Sequence, residues 1–443
     1  MSEIRMGLAF IVRATDTLPY TSRGNAAILK NLMFSARLFS PVLLLLLVLG
    51  ATAVAETPFA GIDRAVAELA AITGWKPLKK VQYDTMDRVA LKQYLEKKVK
   101  EEIKPEEIRS EELALKKLGL VPMEFDFART MVDLLTEQAA AFYDYRKKKL
   151  FLLEGGDPLS QDMVVVHELA HALADQRFDL GKFIKKGKSD DASLARMAVM
   201  EGQATWLMME SGSRRAGMSL KDVPGALLDI AGSSPDAIAS QYPVLGKAPL
   251  YIRASLMFPY SQGLRFSHSV FQKDGQEGFA RVFREPPVSS QQILHPEAYF
   301  AKSMPVDVPL PKLHDERNWN VVTSGSLGEF DHAILLEQYS GKEQARVIAP
   351  QWRGSSAAVL EHKGTNRTVL LYASEWATAE SARKMFEEYR NVLKGKWKHM
   401  RIASDRPGSL TGSGDDGDFR VWLAGTRLSS VEGLPPVAEP KVN

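Results

Sequence analysis

The sequence predicts an α+β protein: a mainly helical unit carrying a small edge sheet, followed by a small α+β domain. Three observations predict it. Between residues 56 and 320 most segments repeat apolar residues at helical spacing, one stretch around residue 145 reads as a strand hairpin, and beyond residue 321 strand-like and helix-like segments alternate. At 443 residues, 45% hydrophobic and 25% charged, the chain is long enough to bury a full core and to divide into two domains.

At the N-terminus Arg37 precedes the apolar run Pro41-Val-Leu-Leu-Leu-Leu-Leu-Val-Leu49, and Ala51-Thr-Ala53-Val54-Ala55 follows it. That is the order of an export signal cut after Ala55, so residues 1–55 read as a signal peptide. Residues 1–32 are an odd upstream extension, since Met33 would make a conventional start. The apolar run is short for a spanning helix, and a chain with no cysteine carries no disulfide, no thiol nucleophile and no lipid-modified Cys. The expectation is an exported protein, periplasmic or extracellular, with no stable membrane anchor after cleavage. The chain has 57 Lys and Arg against 54 Asp and Glu, and residues 1–55 hold five of the former and two of the latter. The remainder is near neutral, which argues against a nucleic-acid partner.

Residues 56–140 read as an N-terminal helical layer. Residues 88–104 are rich in Lys, Glu and Leu, and the segment Lys104-Pro-Glu-Glu-Ile-Arg-Ser-Glu-Glu-Leu-Ala-Leu-Lys-Lys-Leu-Gly119 stops at its Gly, before Val121-Pro122. A propeptide is the sharper alternative, although nothing in the layer supplies a thiol or other blocking group. Residues 141–153 have aromatic and aliphatic ends around a charged centre, the pattern of a hairpin turning at 144–148. Its edge is where an extended peptide could add as a further strand, with an ordinary sheet edge as the alternative.

A helix is expected next. Asp157-Pro158 or Ser160 offers a cap, and Met163, Val166, Leu169/Ala170 and Leu173 repeat at helical spacing. Residues 190–209 make another, with acidic residues at the start and Gly212 near the end. Residues 141–311 therefore read as one unit, whose last part mixes helices with Pro-rich connections. Residues 305–320 look like its exit, with 312–320 as linker. In the small domain, residues 321–435, segments 357–361, 368–372 and 419–423 read as strands and 379–394 as a helix. The loop Gly412-Ser-Gly-Asp-Asp-Gly-Asp418 has a cation-binding composition without the length or terminal Glu of an EF-hand, so a hairpin turn is expected. Trp352, Trp376, Trp397 and Trp422 are expected to pack in a small core, with a recognition surface as the alternative.

The chemistry is carried by His167-Glu168-Leu169-Ala170-His171, the H-E-x-x-H pattern that places two imidazoles and a carboxylate around one zinc ion. On a helix the i, i+4 spacing puts both His on one face, with Glu168 beside them. A catalytic zinc site needs a third protein ligand. Glu201 is the choice, because it shares a helix face with Leu194, Met197, Ala198, Thr205 and Met208, where a carboxylate is costly unless paired or metal-bound. A buried salt bridge to an Arg is the alternative.

His167-Glu168-Leu-Ala-His171 together with Glu201-Gly202 resembles the gluzincin metallopeptidases, in which H-E-x-x-H on one helix is completed by a Glu on the next. Phe142-Tyr-Asp144, Ala172-Leu-Ala-Asp175-Gln176, Glu201-Gly-Gln-Ala-Thr205, Phe258-Pro-Tyr260-Ser-Gln-Gly263 and Leu294-His295-Pro296 look like segments of a little-characterised group of secreted bacterial proteins in that class. The resemblance implies a zincin-like catalytic domain, Zn2+ as cofactor, His167, His171 and Glu201 as ligands and Glu168 as general base. Tyr260 and His295 carry the resemblance as candidate oxyanion donors, and His268 is a third candidate. Asp175, one turn after His171, and Thr205, one turn after Glu201, are expected to brace those ligands. The expected activity is a zinc metallopeptidase acting on a peptide or protein. Hydrolysis of a non-peptide amide or ester, and a non-catalytic zinc-containing envelope binding protein, are the alternatives.

Overall fold

The computed structural model describes residues 61–102, 104–138, 141–154, 158–225 and 242–435; the signal-peptide reading and the Asp157 cap fall outside them. Among these residues the fold is α+β, with a three-stranded sheet and a seven-stranded antiparallel sheet. No described helix is long and apolar enough to cross a membrane.

Helix α1 (Ile62–Thr73) buries Ile62, Ala65, Leu69 and Ile72 along one stripe and ends at Gly74, whose φ of 72° suits glycine. Strand β1 (Gln82–Met86) lies inside the layer expected to be wholly helical. Its five residues carry no apolar alternation; parallel pairing with a later strand makes it a strand. Helices α2 (Arg88–Glu102), α3 (Pro105–Leu118) and α4 (Phe127–Gln138) follow, α3 starting on Pro105 and closing on left-handed Gly119. The expected hairpin is present as β2 (Ala141–Asp144) and β3 (Lys149–Leu153), with β1 completing the order β1-β3-β2.

Helix α5 (Pro158–Phe178) carries the H-E-x-x-H residues, and short α6 (Leu180–Lys185) leads to α7 (Asp190–Arg215). The Ser189 hydroxyl caps α7 by accepting from the Ala192 N–H at 3.1 Å, and the helix runs through Gly212 to Arg215. Helices α8 (Pro243–Lys247) and α9 (Leu250–Asp274) come next, then α10 (Gln276–Arg284), α11 (Ser290–Leu294) and α12 (Pro296–Phe300). Helices α7 and α9 cross at glycines. A Cβ on Gly202 would sit 2.0 Å from the Gly263 carbonyl carbon, and one on Gly263 would sit 2.2 Å from the Ala198 carbonyl oxygen. Only glycine at both positions permits this approach.

The second sheet is built from β4 (Trp319–Gly325), β5 (Trp352–His362), β6 (Thr368–Trp376), β7 (Arg401–Arg406), β8 (Ser409–Gly414), β9 (Gly417–Ala424) and β10 (Arg427–Leu434), in the order β4-β5-β6-β10-β9-β8-β7. Helices α13 (Glu329–Ser340) and α14 (Lys342–Ile348) separate β4 from β5, and α15 (Ala379–Lys396) separates β6 from β7. The period-2 rule divides the strands between two cores. Ala357, Val359, Leu370 and Tyr372 join the main core, where Tyr372 stacks on Tyr389 of α15 at 5.4 Å. Ala358, Leu360, Val369, Leu371, Val431 and Trp319 make a smaller core on the other face.

Leu310 and Leu313, from the Pro-rich exit segment, cover that smaller core. The same segment is fastened to the sheet by the Val306 N–H donating to the Arg353 carbonyl at 2.8 Å. Turn Asp415-Asp416 joins β8 to β9 as expected of the acidic loop. The N-terminal layer docks on this domain as well. Gln338 and Tyr339 donate to the Gly119 carbonyl at 2.9 and 2.7 Å, and Lys117 pairs with Asp416 at 3.2 Å.

Candidate metal centre

Helix α5 is apolar nearly all round: Val164, Val165, Val166, Leu169, Ala170, Ala172, Leu173 and Ala174 are buried. Three titratable side chains, His167, Glu168 and His171, are sunk in this setting, at 0, 0 and 2% exposure, and Glu201 of α7 faces them at 1%. Burying such groups is expensive unless they satisfy one another or bind an ion.

Their geometry is one that could hold an ion. His167 Nε2 and His171 Nε2 are 3.1 Å apart, and Glu201 Oε2 lies 3.2 Å from the first and 3.1 Å from the second. A tetrahedral ion with bonds of about 2.0–2.1 Å holds neighbouring ligand atoms roughly 3.3 Å apart, so the triangle has nearly the edge length of one face of that tetrahedron. Hydrogen bonding alone serves it poorly. If both Nε2 atoms carry protons toward Glu201, the two N–H groups oppose each other; if one does not, Glu201 loses a donor. A cation receives a lone pair from every corner. Ligand atoms of His167, Glu168 and His171 all lie within 4.8 Å of one another, which puts Glu168 next to the triangle.

Glu168 is held asymmetrically. Its Oε2 accepts the Tyr143 backbone N–H at 2.7 Å, whereas Oε1 is buried with no hydrogen-bond partner among the described residues. Burial raises its carboxyl to about 8, against lowering by His171. Burial lowers His167 to about 4. Burial also acts to lower His171, but Glu201, Glu168 and Asp175 outweigh it and the imidazole is raised. Glu201 moves well below the carboxylate range because the two imidazoles overcome the burial that would raise it. Without an ion, then, the two imidazoles push Glu201 towards its anionic form, and the surrounding carboxylates push His171 towards its charged form.

Tyr260 joins the site. Its ring stacks over His167 at 6.1 Å and 28°, placed there by the glycine crossing, since Tyr260 lies one turn before Gly263 and Glu201 immediately before Gly202. Tyr145, which sequence reasoning passed over, is buried in the β2–β3 turn, and its phenol is pushed well above 10 by burial and then by Glu201 and Glu168. A second aromatic in a hairpin turn that folds back on the motif helix was the available signal.

Four expected residues sit differently. His295 bonds Glu329 at 2.7 Å and lies 3.7 Å from Glu297, partners that tie α12 to α13 and include none of the site residues. His268 accepts from the Trp206 indole at 3.2 Å, a core contact. Thr205 Oγ1 is buried with no hydrogen-bond partner among the described residues, so it does not brace Glu201. Asp175 makes no bond to His171; its oxygens take Tyr143, Lys148 and the Leu180 N–H instead. The β2 edge also differs from a docking strand. Ala141, Phe142, Tyr143 and Asp144 are all buried, and the Tyr143 amide is already used by Glu168.

Comparison with models of known protein families, with curated proteins and with solved structures finds no match.

Proposed function

We propose that the chain is a zinc-dependent hydrolase of the metallopeptidase type, zincin-like in its catalytic unit. The observation that carries the reading is the 3.1–3.2 Å triangle of His167 Nε2, His171 Nε2 and Glu201 Oε2, with Glu168 beside it. These three would hold the ion. When bound, zinc supplies Lewis acidity that brings a coordinated water towards a neutral pKa. Glu168, whose carboxylate form a cation beside it would favour, would take a proton at its unpartnered Oε1 while the Tyr143 amide keeps Oε2 in place. Tyr260, whose ring stacks over His167, and Tyr145, which feels Glu201 and Glu168, are the candidate donors to a developing oxyanion.

Metal content measured by elemental mass spectrometry on the full chain, purified without chelators, tests the ligand set. The expected result is one zinc per chain, with the metal lost in His171→Ala. No zinc after reconstitution would overturn the reading. One observation favours a second substrate class. The Tyr143 amide of β2 is taken by Glu168 and is not offered to an added strand, whereas a small amide or ester needs none. A panel pairing labelled casein with peptide p-nitroanilides and acyl esters decides between them.

A further inference from the structure

Period 2 sends Phe142 of β2 into the core, where it stacks on Phe151 at 5.0 Å, and turns Tyr143 toward α5. Tyr143 meets that helix twice. Its N–H donates to Glu168 Oε2 at 2.7 Å and its phenol donates to Asp175 Oδ2 at 2.9 Å. Residues 168 and 175 are two turns apart on one face, so the strand is fastened along the same side of the helix that presents Glu168.

Asp175 is where the fastening gathers. Beyond the phenol it accepts Lys148 Nζ at 2.9 and 2.7 Å, one contact on each oxygen, and the Leu180 N–H at 3.0 Å. Four contacts fill the acceptor sites of a carboxylate, which leaves none for His171. Lys148 reaches it from the last turn position, where its φ of 53° is left-handed for a residue with a side chain. The other end of the turn is held by Asp144, whose Oδ1 accepts the Arg146 and Lys147 amides and whose Oδ2 accepts the Tyr94 hydroxyl.

We infer that Asp175 is a positioning residue for Glu168, acting through Tyr143: it holds the Tyr143 phenol and the Lys148 ammonium, and so fixes the backbone N–H that anchors one oxygen of the base. This rests on the hydrolase reading above. The carboxylate thus presents Oε1 in one orientation, and loosening the hairpin frees it to rotate. Misplacing a base by about 1 Å costs on the order of a hundredfold in rate without weakening substrate binding.

The experiment compares wild type with Asp175→Asn, Tyr143→Phe, Lys148→Met and Lys148→Arg in the full chain. It reads zinc affinity by chelator competition, kcat and KM on the substrate that the panel identifies, and hydrogen exchange at the Tyr143 amide. Asp175→Asn, Tyr143→Phe and Lys148→Met are expected to lower kcat by about tenfold or more with KM and zinc affinity within about twofold, and Lys148→Arg to recover most of the loss. Unchanged kcat overturns the inference. So does zinc affinity falling in step with kcat, because Asp175 would then support the ligands. If wild type binds zinc but turns nothing over, the hydrolase reading fails by itself and exchange decides. Faster exchange of the Tyr143 amide in Asp175→Asn, with zinc retained, upholds the fastening, and unchanged exchange removes it.

Discussion

Glu168 and Glu201 face the same pair of imidazoles and are set for different work. Glu201 is held anionic by two rings, while Glu168 is raised by burial and keeps one oxygen free. Glu168→Gln should therefore retain zinc and lose turnover by about 10²-fold or more, since the amide cannot accept the proton. Equal turnover in variant and wild type would end the assignment. Glu201→Ala should instead weaken zinc binding sharply, read by the same chelator competition. Asp191 offers a test away from the candidate metal centre. Burial, then Asp331, raises it to about 7, so between pH 4 and 7 the folded state holds a proton that the unfolded state has lost. Stability should fall as pH rises through that window, by a few kcal/mol at most. Asp191→Asn, still able to accept the Ser290 N–H, should flatten the decline in urea midpoints; a decline unchanged in the variant would exclude Asp191 as its source.

At the scale of elements, the crossing of α7 and α9 decides more than any one side chain on either helix. Replacing Gly263 by Ala in a helix interior would ordinarily gain up to about 1 kcal/mol of propensity. Here the added Cβ would meet the Ala198 carbonyl oxygen at 2.2 Å, a backbone atom that cannot rotate aside. Overpacking of this kind costs about 1–3 kcal/mol, so Gly263→Ala should lower the melting temperature and shift Tyr260 off His167. A stabilised variant would show that α9 can withdraw freely. The same scale explains what the residues disclosed. The His pair follows from an i, i+4 spacing, Glu201 from its place on an apolar helix face, and the hairpin from its pattern; all three signals are local. Strand β1 has no such signal, because its conformation comes from pairing with residues 149–153. Asp175 was legible as a neighbour of His171 by spacing, yet its partners Tyr143 and Lys148 lie on a hairpin about thirty residues upstream. Proximity along a helix could not compete with contacts made in space. His295 was similarly claimed by Glu329, a residue of the following domain.

Across the whole molecule the boundaries visible in composition are less separate in space. The N-terminal layer reaches the second domain through Gly119, which meets α13, and Lys117, which meets the β8–β9 turn, and the Pro-rich exit segment is wall as much as connection. The layer's placement predicts that Lys117→Met, which removes a buried cation beside Asp416, lowers the stability of the entire chain in a single transition. Two separate transitions by calorimetry would show the layer and the domain unfolding independently. The exit segment has a practical consequence for dissection. Cut at residue 321, the second domain would lose Leu310, Leu313 and Trp319 and expose Leu360, Val369, Leu371 and Val431 as an oily sheet face, a surface that invites self-association. Of two fragments, one starting at residue 303 should scatter less light at equal concentration than one starting at 321, so the natural place to divide this protein lies before its prolines, not after them.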